Sequence, residues 1–288
     1  MEVERIAVTG GHGMLGRHVV AALEPDYDVT VIDRVDGGSH QPHGPVDVMD
    51  LEALERAVRG HDAIIHLAAL DAAVDARAHE FFHVNTLATW NTLHVGYEAG
   101  IRRFVVCSSS SVYGVRETAP LYLPIDESHP ARATEPYGLG KRVTELVAGG
   151  FAQRDNVVAV ALRPCYVAYP HLIDRMSREV ETVEPGEEPL PPLRWHVSPQ
   201  DAARCFRAAL EADLSGYAVF NVAGPDSFSS RPSLAVAEST YGALPEVRNP
   251  AWFEVDPRAP LLDCTRAREE LGWSPRDDWA SRVSGHGS

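Results

Sequence analysis

The stretch RIAVTGGHGMLG, residues Arg5–Gly16, joins a short apolar run to Gly10, Gly13 and Gly16, each three residues from the next. A run as short and β-branched as Arg5–Thr9 predicts a buried strand, and the pattern over Met14–Leu23 predicts a helix. Three glycines between a strand and a helix meet three needs. They allow a tight turn, let the backbone approach a pyrophosphate, and let the helix sit close to its strand. The helix start then offers unpaired N–H groups and its positive dipole end to the phosphates. A plain turn is the simpler reading of a glycine loop, but the strand–helix context favours a dinucleotide site at Gly10, Gly13, Met14, Leu15 and Gly16.

The same alternation continues outward. Asp28–Ile32, Ala63–Leu67, Phe104–Cys107 and Val157–Leu162 read as strands, and Leu51–Val58, His79–Ala99 and Tyr137–Gln153 as helices. Strand–helix alternation implies right-handed crossovers and a parallel sheet covered on both faces. The predicted fold class is α/β, a Rossmann-like doubly wound parallel sheet with a small C-terminal substrate lobe. Beyond about residue 164 the texture turns proline-rich and acidic (VEPGEEPLPP) and shows no period. One more helix (Pro199–Ala212) and strand (Ala218–Val222) follow, then a tail with scattered Trp and Pro. The expected division is 1–163 plus about 195–224 for the dinucleotide domain, and 164–194 plus 225–288 for the lobe.

Asp33 closes the second strand, seventeen residues after Gly16. A carboxylate there accepts hydrogen bonds from an adenosine ribose and repels a 2′-phosphate, favouring NAD over NADP. Arg34, next in the chain, is the residue that would accommodate such a phosphate. Asp47 and Val48 read as the end of a short third strand beside the adenine, with a turn or capping role nearly as plausible.

A net charge of −15, from 26 basic and 41 acidic residues, disfavours nucleic acid and anionic membrane as partners. The four cysteines are far apart and no His stands at metal-ligand spacing, so buried thiols and no metal are expected. The charged N-terminus MEVERIAVTGG lacks the apolar run of a signal peptide, and no long apolar stretch follows. A cytoplasmic protein is expected.

Tyr137-Gly138-Leu139-Gly140-Lys141 sets a phenol and an ammonium four residues apart, on one face of a helix. A tyrosine titrating near ~10 is a poor base at neutral pH. A nearby lysine and a cationic nicotinamide favour its phenolate and let it take a hydroxyl proton while hydride leaves the adjacent carbon. Such a Y-x-x-x-K spacing is common by accident. Its context strengthens it: Phe104–Cys107 runs into Ser108–Ser111 at a strand's carboxyl end, where open α/β sheets place ligands. A hydroxyl there can hold the substrate oxygen. His66-Leu67-Ala68-Ala69 ends another strand with small residues that leave room for a cofactor, and His66 itself reads as a satisfied core histidine.

TGGHGMLG, Asp33, HLAA, SSSSVYG, YGLGK and Arg163-Pro164, in that order, resemble the extended short-chain dehydrogenase/reductases, the NAD-dependent epimerase/dehydratase family. Trp195-His196-Val197 with Asp201, Phe220-Asn221-Val222 and RAREELGWSP (Arg266–Pro275) extend the likeness over nearly the whole chain. The resemblance implies that Gly10, Gly13, Gly16 and Asp33 bind NAD, with Leu67, Ala68, Ala69 and Pro164 beside it. It implies Tyr137 and Lys141 as the catalytic pair, Ser109 as the catalytic hydroxyl, and Asn85 as a support of the site. It also implies a homodimer formed through the helices His79–Ala99 and Tyr137–Gln153.

Two departures narrow the chemistry. Ser110 and Ser111 stand where the family's dehydratases carry Asp-Glu, which argues against water loss. Cys165 follows Arg163-Pro164 where many nucleotide-sugar enzymes have Asn, and the short acidic substrate segment 164–194 offers only Arg175, Arg178 and Arg194 to a diphosphate. Ser109, Ser110, Tyr137 and Arg194 are the expected substrate contacts. The leading expectation is a nucleotide-sugar epimerase of the 4-epimerase type. A net dehydrogenase of a free sugar or uronic acid is the alternative, and a non-catalytic dinucleotide sensor a distant third.

Overall fold

The computed structural model describes residues 3–37, 41–71, 76–180 and 191–284. In chain order the elements begin β1 (Arg5–Thr9), α1 (Gly16–Leu23), β2 (Asp28–Ile32), α2 (Leu51–Val58), β3 (Ala63–His66), α3 (Ala78–Glu98) and β4 (Arg103–Cys107). A 3-10 turn (Ser110–Tyr113), β5 (Tyr122–Leu123), α4 (Pro136–Phe151), β6 (Val158–Pro164) and α5 (Pro170–Glu179) come next. The remainder is α6 (Pro199–Glu211), β7 (Gly216–Val222), α7 (Ser233–Tyr241), β8 (Glu246–Val247), α8 (Pro250–Val255), α9 (Thr265–Leu271) and α10 (Trp279–Ser284). Two compact units share these elements. The first is 1–109, 136–163 and 203–219; the second is 110–135, 164–202 and 220–288.

The six-stranded sheet has the order β2-β1-β3-β4-β6-β7. β1 pairs in parallel with both β2 and β3, Ile6 lying opposite Val29 and Ala63, and β3, β4 and β6 continue the parallel ladder. The doubly wound α/β class expected from the sequence is therefore the one found. Strand order reverses between β1 and β3, the switch point whose carboxyl-end crevice receives ligands in such sheets. Buried Ile64, Phe104, Val106, Ala159 and Ala161 meet Leu54, Leu93 and Phe151 from the flanking helices. Strands covered on both faces need to be apolar throughout, and that is why their hydrophobic runs are continuous rather than alternating.

Carboxylates satisfy the starts of two helices. Asp50 accepts the Ala53 N–H at the start of α2, and Glu80 accepts the Arg77 N–H at the start of α3. α3 and α4 lie against each other, with Trp90 edge-on to Phe151 at 5.4 Å.

One expected strand is absent among the described residues. Asp47 and Val48 do not end a strand. The Val46 N–H donates to the Asp33 carbonyl and the Asn91 amide donates to the Val48 carbonyl, so no neighbouring strand is left to build a ladder. Asp47 is exposed and its carboxylate turns back onto the Met49 N–H.

In the second unit β5 pairs with β8. Phe228 and Trp279 join Ala168, Ile173 and Met176 in a small apolar core. Asp201 holds this unit's tail: its carboxylate accepts the Arg276 and Asp277 N–H groups, and its carbonyl accepts the Trp273 indole N–H. α5 was not visible as a period, because among its described side chains, many of them charged, only Ile173 and Met176 are buried. Most of the VEPGEEPLPP stretch lies outside the described residues. Among the described residues no helix is long and apolar enough to cross a membrane, and all four cysteines are thiols.

Candidate active site

The glycine loop is closed on itself. The Gly13 N–H donates to the Gly10 carbonyl at 3.0 Å and the Arg17 N–H to the Gly13 carbonyl at 3.1 Å, turning the chain directly into α1. Gly10 has a left-handed φ of +70°, and a Cβ there would lie 2.7 Å from the Ala68 nitrogen. At Gly16 a Cβ would stand 2.1 Å from the Gly10 carbonyl oxygen. Only glycine fits either position. The loop after β1 thus lies directly on the loop after β3, with the start of α1 beneath it, and this is the cradle a pyrophosphate requires. Met14 is exposed, Leu15, Leu67 and Ala68 are half-buried, and Ala69 is exposed.

Asp33 stands half-buried at the end of β2. Its carboxylate accepts the His12 N–H at 3.0 Å and the Val35 N–H at 3.1 Å, which fixes it beside the glycine loop. A carboxylate has further lone pairs for two ribose hydroxyls. Arg34 beside it is exposed. Sequence reading missed two neighbours: the Gln41 amide donates to the Asp33 carbonyl at 2.6 Å, and its oxygen lies 3.3 Å from the His12 ring. Nothing in the spacing marks Gln41, since it reaches Asp33 across a loop. Cradle and carboxylate together fit a dinucleotide.

Tyr137 and Lys141 share one face of α4. Lys141 is only 4% exposed, and its ammonium donates to the Cys107 carbonyl at 2.7 Å, at the very end of β4. That contact uses one of three donors and leaves the ammonium 5.8 Å from the centre of the Tyr137 ring. Ser109, buried, lies two residues beyond the accepting carbonyl. The strand end therefore fixes the lysine, and Ser109 follows in the chain.

The surroundings keep Lys141 the local cation. His66 is buried between the Thr9 and Thr89 hydroxyls at 2.8 and 3.3 Å. Burial, with Lys141 adding repulsion, holds its pKa down to about 3, so it stays neutral. The Cys107 thiol is pushed up by burial and pulled the other way by Lys141. Asn85 spends its amide on both backbone atoms of Leu70, at 2.7 and 3.1 Å, and so pins the loop after β3.

In the second unit, Ser110 opens the buried 3-10 turn and Pro164 is buried at the end of β6. Arg194 is almost fully buried in a left-handed conformation (φ +51°), unusual for a side-chain-bearing residue. Its carbonyl takes the Phe228 N–H and the Ser227 hydroxyl, which holds that conformation. Arg175 and Arg178 are exposed on α5. A further buried group escaped sequence reading: Arg163 donates twice to Glu145, both contacts at 2.7 Å, and the Ser108 hydroxyl donates to the same carboxylate at 2.5 Å. Glu145 falls one turn beyond Lys141 on α4, but nothing local in the sequence marks Arg163 as its partner.

Residues 6–223 match the model of the NAD dependent epimerase/dehydratase family. The chain belongs to that family. Family membership makes it an NAD-dependent enzyme of the extended short-chain dehydrogenase/reductase type. Among its relatives, a UDP-glucose 4-epimerase of Bos taurus is 33% identical over 94% of this chain and 92% of the bovine protein. An L-arabinose 1-dehydrogenase (NAD(P)(+)) of Haloferax volcanii is 30% identical over 97% of this chain and 99% of its own. The fold also matches a solved structure of MoeE5 in complex with UDP-glucuronic acid and NAD, with a TM-score of 0.72, 24% identity, and 97% and 96% of the two chains covered.

Proposed function

We propose that this member of the family is a nucleotide-sugar epimerase of the 4-epimerase type, which oxidises a sugar carbinol and reduces it again on the opposite face. The observation that carries the reading is the ammonium of Lys141, tethered to the Cys107 carbonyl one turn from Tyr137. Bound NAD supplies the acceptor, and then the donor, of the hydride. Tyr137 takes the carbinol proton onto its phenolate oxygen as the C–H bond breaks, and returns it when the bond re-forms. Lys141, fixed by the Cys107 carbonyl, favours the phenolate with its charge. Ser109 holds the substrate oxygen. Gly10, Gly13, Met14, Leu15 and Gly16 seat the pyrophosphate, and Asp33 takes the ribose hydroxyls; Leu67, Ala68, Ala69 and Pro164 line the cofactor. Ser110 and Arg194 are assigned to the substrate.

One observation favours a second reading, a net sugar dehydrogenase. The arabinose dehydrogenase matches 97% of this chain. Incubation with UDP-glucose or UDP-galactose and catalytic NAD decides between the two. The epimerase interconverts the two sugars with no net gain in nicotinamide absorbance. Stoichiometric NADH with free aldoses or uronic acids, and inert UDP-sugars, would replace the first reading with the second.

The family's helix-pair dimer also suits this chain. Phe82, Leu87 and Trp90 of α3 and Leu146 of α4, the last 72% exposed, are large apolar side chains facing out of the first unit. A second copy burying them is the natural occupant. Trp90→Glu combined with Leu146→Glu is expected to halve the mass measured by light scattering; a monomeric wild type would contradict the dimer.

A further inference from the structure

Glu145, Arg163 and Ser108 bind neither cofactor nor substrate in the scheme above, yet they hold a buried, two-pronged ion pair. The guanidinium meets the carboxylate side-on through Nε and a terminal nitrogen, both at 2.7 Å, and both residues are buried. Such a fork leaves little geometric freedom. The three residues come from α4, β6 and the end of β4. Glu145 follows Lys141 by one helical turn, about 6 Å along the axis, and Ser108 follows the carbonyl that Lys141 grips. The Ser108 N–H donates in turn to the Leu162 carbonyl at 2.7 Å, beside Arg163.

We infer that Glu145 and Arg163 are positioning residues forming a charge-neutral brace, which clamps α4 to the ends of β4 and β6 while leaving the Lys141 ammonium to act on Tyr137. The inference rests on the Tyr137–Lys141 reading above. Two consequences of the geometry support it. A carboxylate one turn from Lys141 would capture the ammonium unless another cation satisfied it, and Arg163 does so. An Arg163 left alone would add a second positive charge behind the pair. The other titratable groups around Lys141 do not replace this balance. His66 on β3 is neutral and Cys107 on β4 is held in its thiol form. Arg142 on α4 is half-buried, and Asp71 acts on Cys107 only through space.

The brace makes a signed prediction. Glu145→Gln removes a negative charge from the brace, so the acid limb of the kcat profile moves to lower pH. Arg163→Gln leaves the Glu145 charge uncompensated, so the limb moves to higher pH and kcat falls. Each displacement is expected to be about one pH unit for a charge roughly 10 Å away at a protein-like dielectric. The double variant restores the wild-type limb.

A readout independent of turnover is built into the sequence, because Lys141 is the only lysine among the 26 basic residues. Lysine-labelled protein therefore gives one side-chain resonance in NMR. It is expected to titrate at lower pH in Glu145→Gln, at higher pH in Arg163→Gln, and as wild type in the double variant. If Glu145→Gln does not accumulate folded, Glu145→Asp keeps the charge but shortens the arm, and is expected to lower kcat about tenfold with limb and NAD affinity unmoved. Single variants that titrate with the wild type, or a Glu145→Asp enzyme at full kcat, would overturn the brace. A fully active Tyr137→Phe would instead overturn the reading beneath it, and the lysine resonance would still report on the brace alone.

Discussion

Tyr137→Phe lowers kcat by about 10²–10⁴-fold, the usual worth of a positioned acid–base group, and leaves NAD affinity essentially unchanged. The substitution removes one oxygen and nothing else. α4 keeps its place because its anchors are the Lys141 contact with Cys107 and the Glu145 contacts with Arg163 and Ser108, and none of these involves the phenol. The glycine cradle lies on other elements and is untouched. Steady-state kinetics with a binding titration of NAD measures both quantities. A loss of affinity matching the loss of rate would mean that Tyr137 only holds the cofactor.

Gly16→Ala is expected to do the reverse and weaken cofactor binding first. A Cβ at this position overlaps the Gly10 carbonyl oxygen at 2.1 Å, and that oxygen is a backbone atom with nowhere to turn. It already receives the Gly13 N–H. The first turn of α1 must therefore move away from the loop. Losing one or two hydrogen bonds to a charged pyrophosphate costs about 3 kcal/mol, or about 100-fold in affinity. Calorimetry with NAD measures it. The fold survives, because the strands of the sheet are fixed by their own ladders and apolar faces. Wild-type affinity in this variant would mean that the pyrophosphate does not lie on this loop.

The parts of this site that are local in sequence were legible, and the parts that are not were hidden. Gly10, Gly13 and Gly16 meet within seven residues, and Tyr137 and Lys141 within one helical turn, so spacing alone describes their geometry. Asp33 was legible because a strand end is set by where its apolar run stops. The misread strand at Asp47–Val48 shows the limit of that method. Val46 and Val48 are buried and β-branched, but their backbone partners are Asp33 and an Asn91 side chain, which no local pattern reveals. The Glu145–Arg163 pair was hidden for the same reason. It needs the register of β6 against β4, Cys107 opposite Leu162, before an arginine eighteen residues away can be seen to face a helix. In the second unit, short helices with one or two buried residues carry almost no periodic signal. There the fold is held by side chains such as Asp201 and Asn221, which reach across loops.

Ultraviolet titration of the wild type against Tyr137→Phe, each saturated with NAD, tests the central claim most directly. If Lys141 and the seated cofactor ionise the phenol, the difference spectrum shows one phenolate appearing near about pH 7, where a general base is useful. If the two proteins remain superimposable until about pH 10, where an ordinary tyrosine ionises, Tyr137 is not the base and the mechanism built on it is wrong.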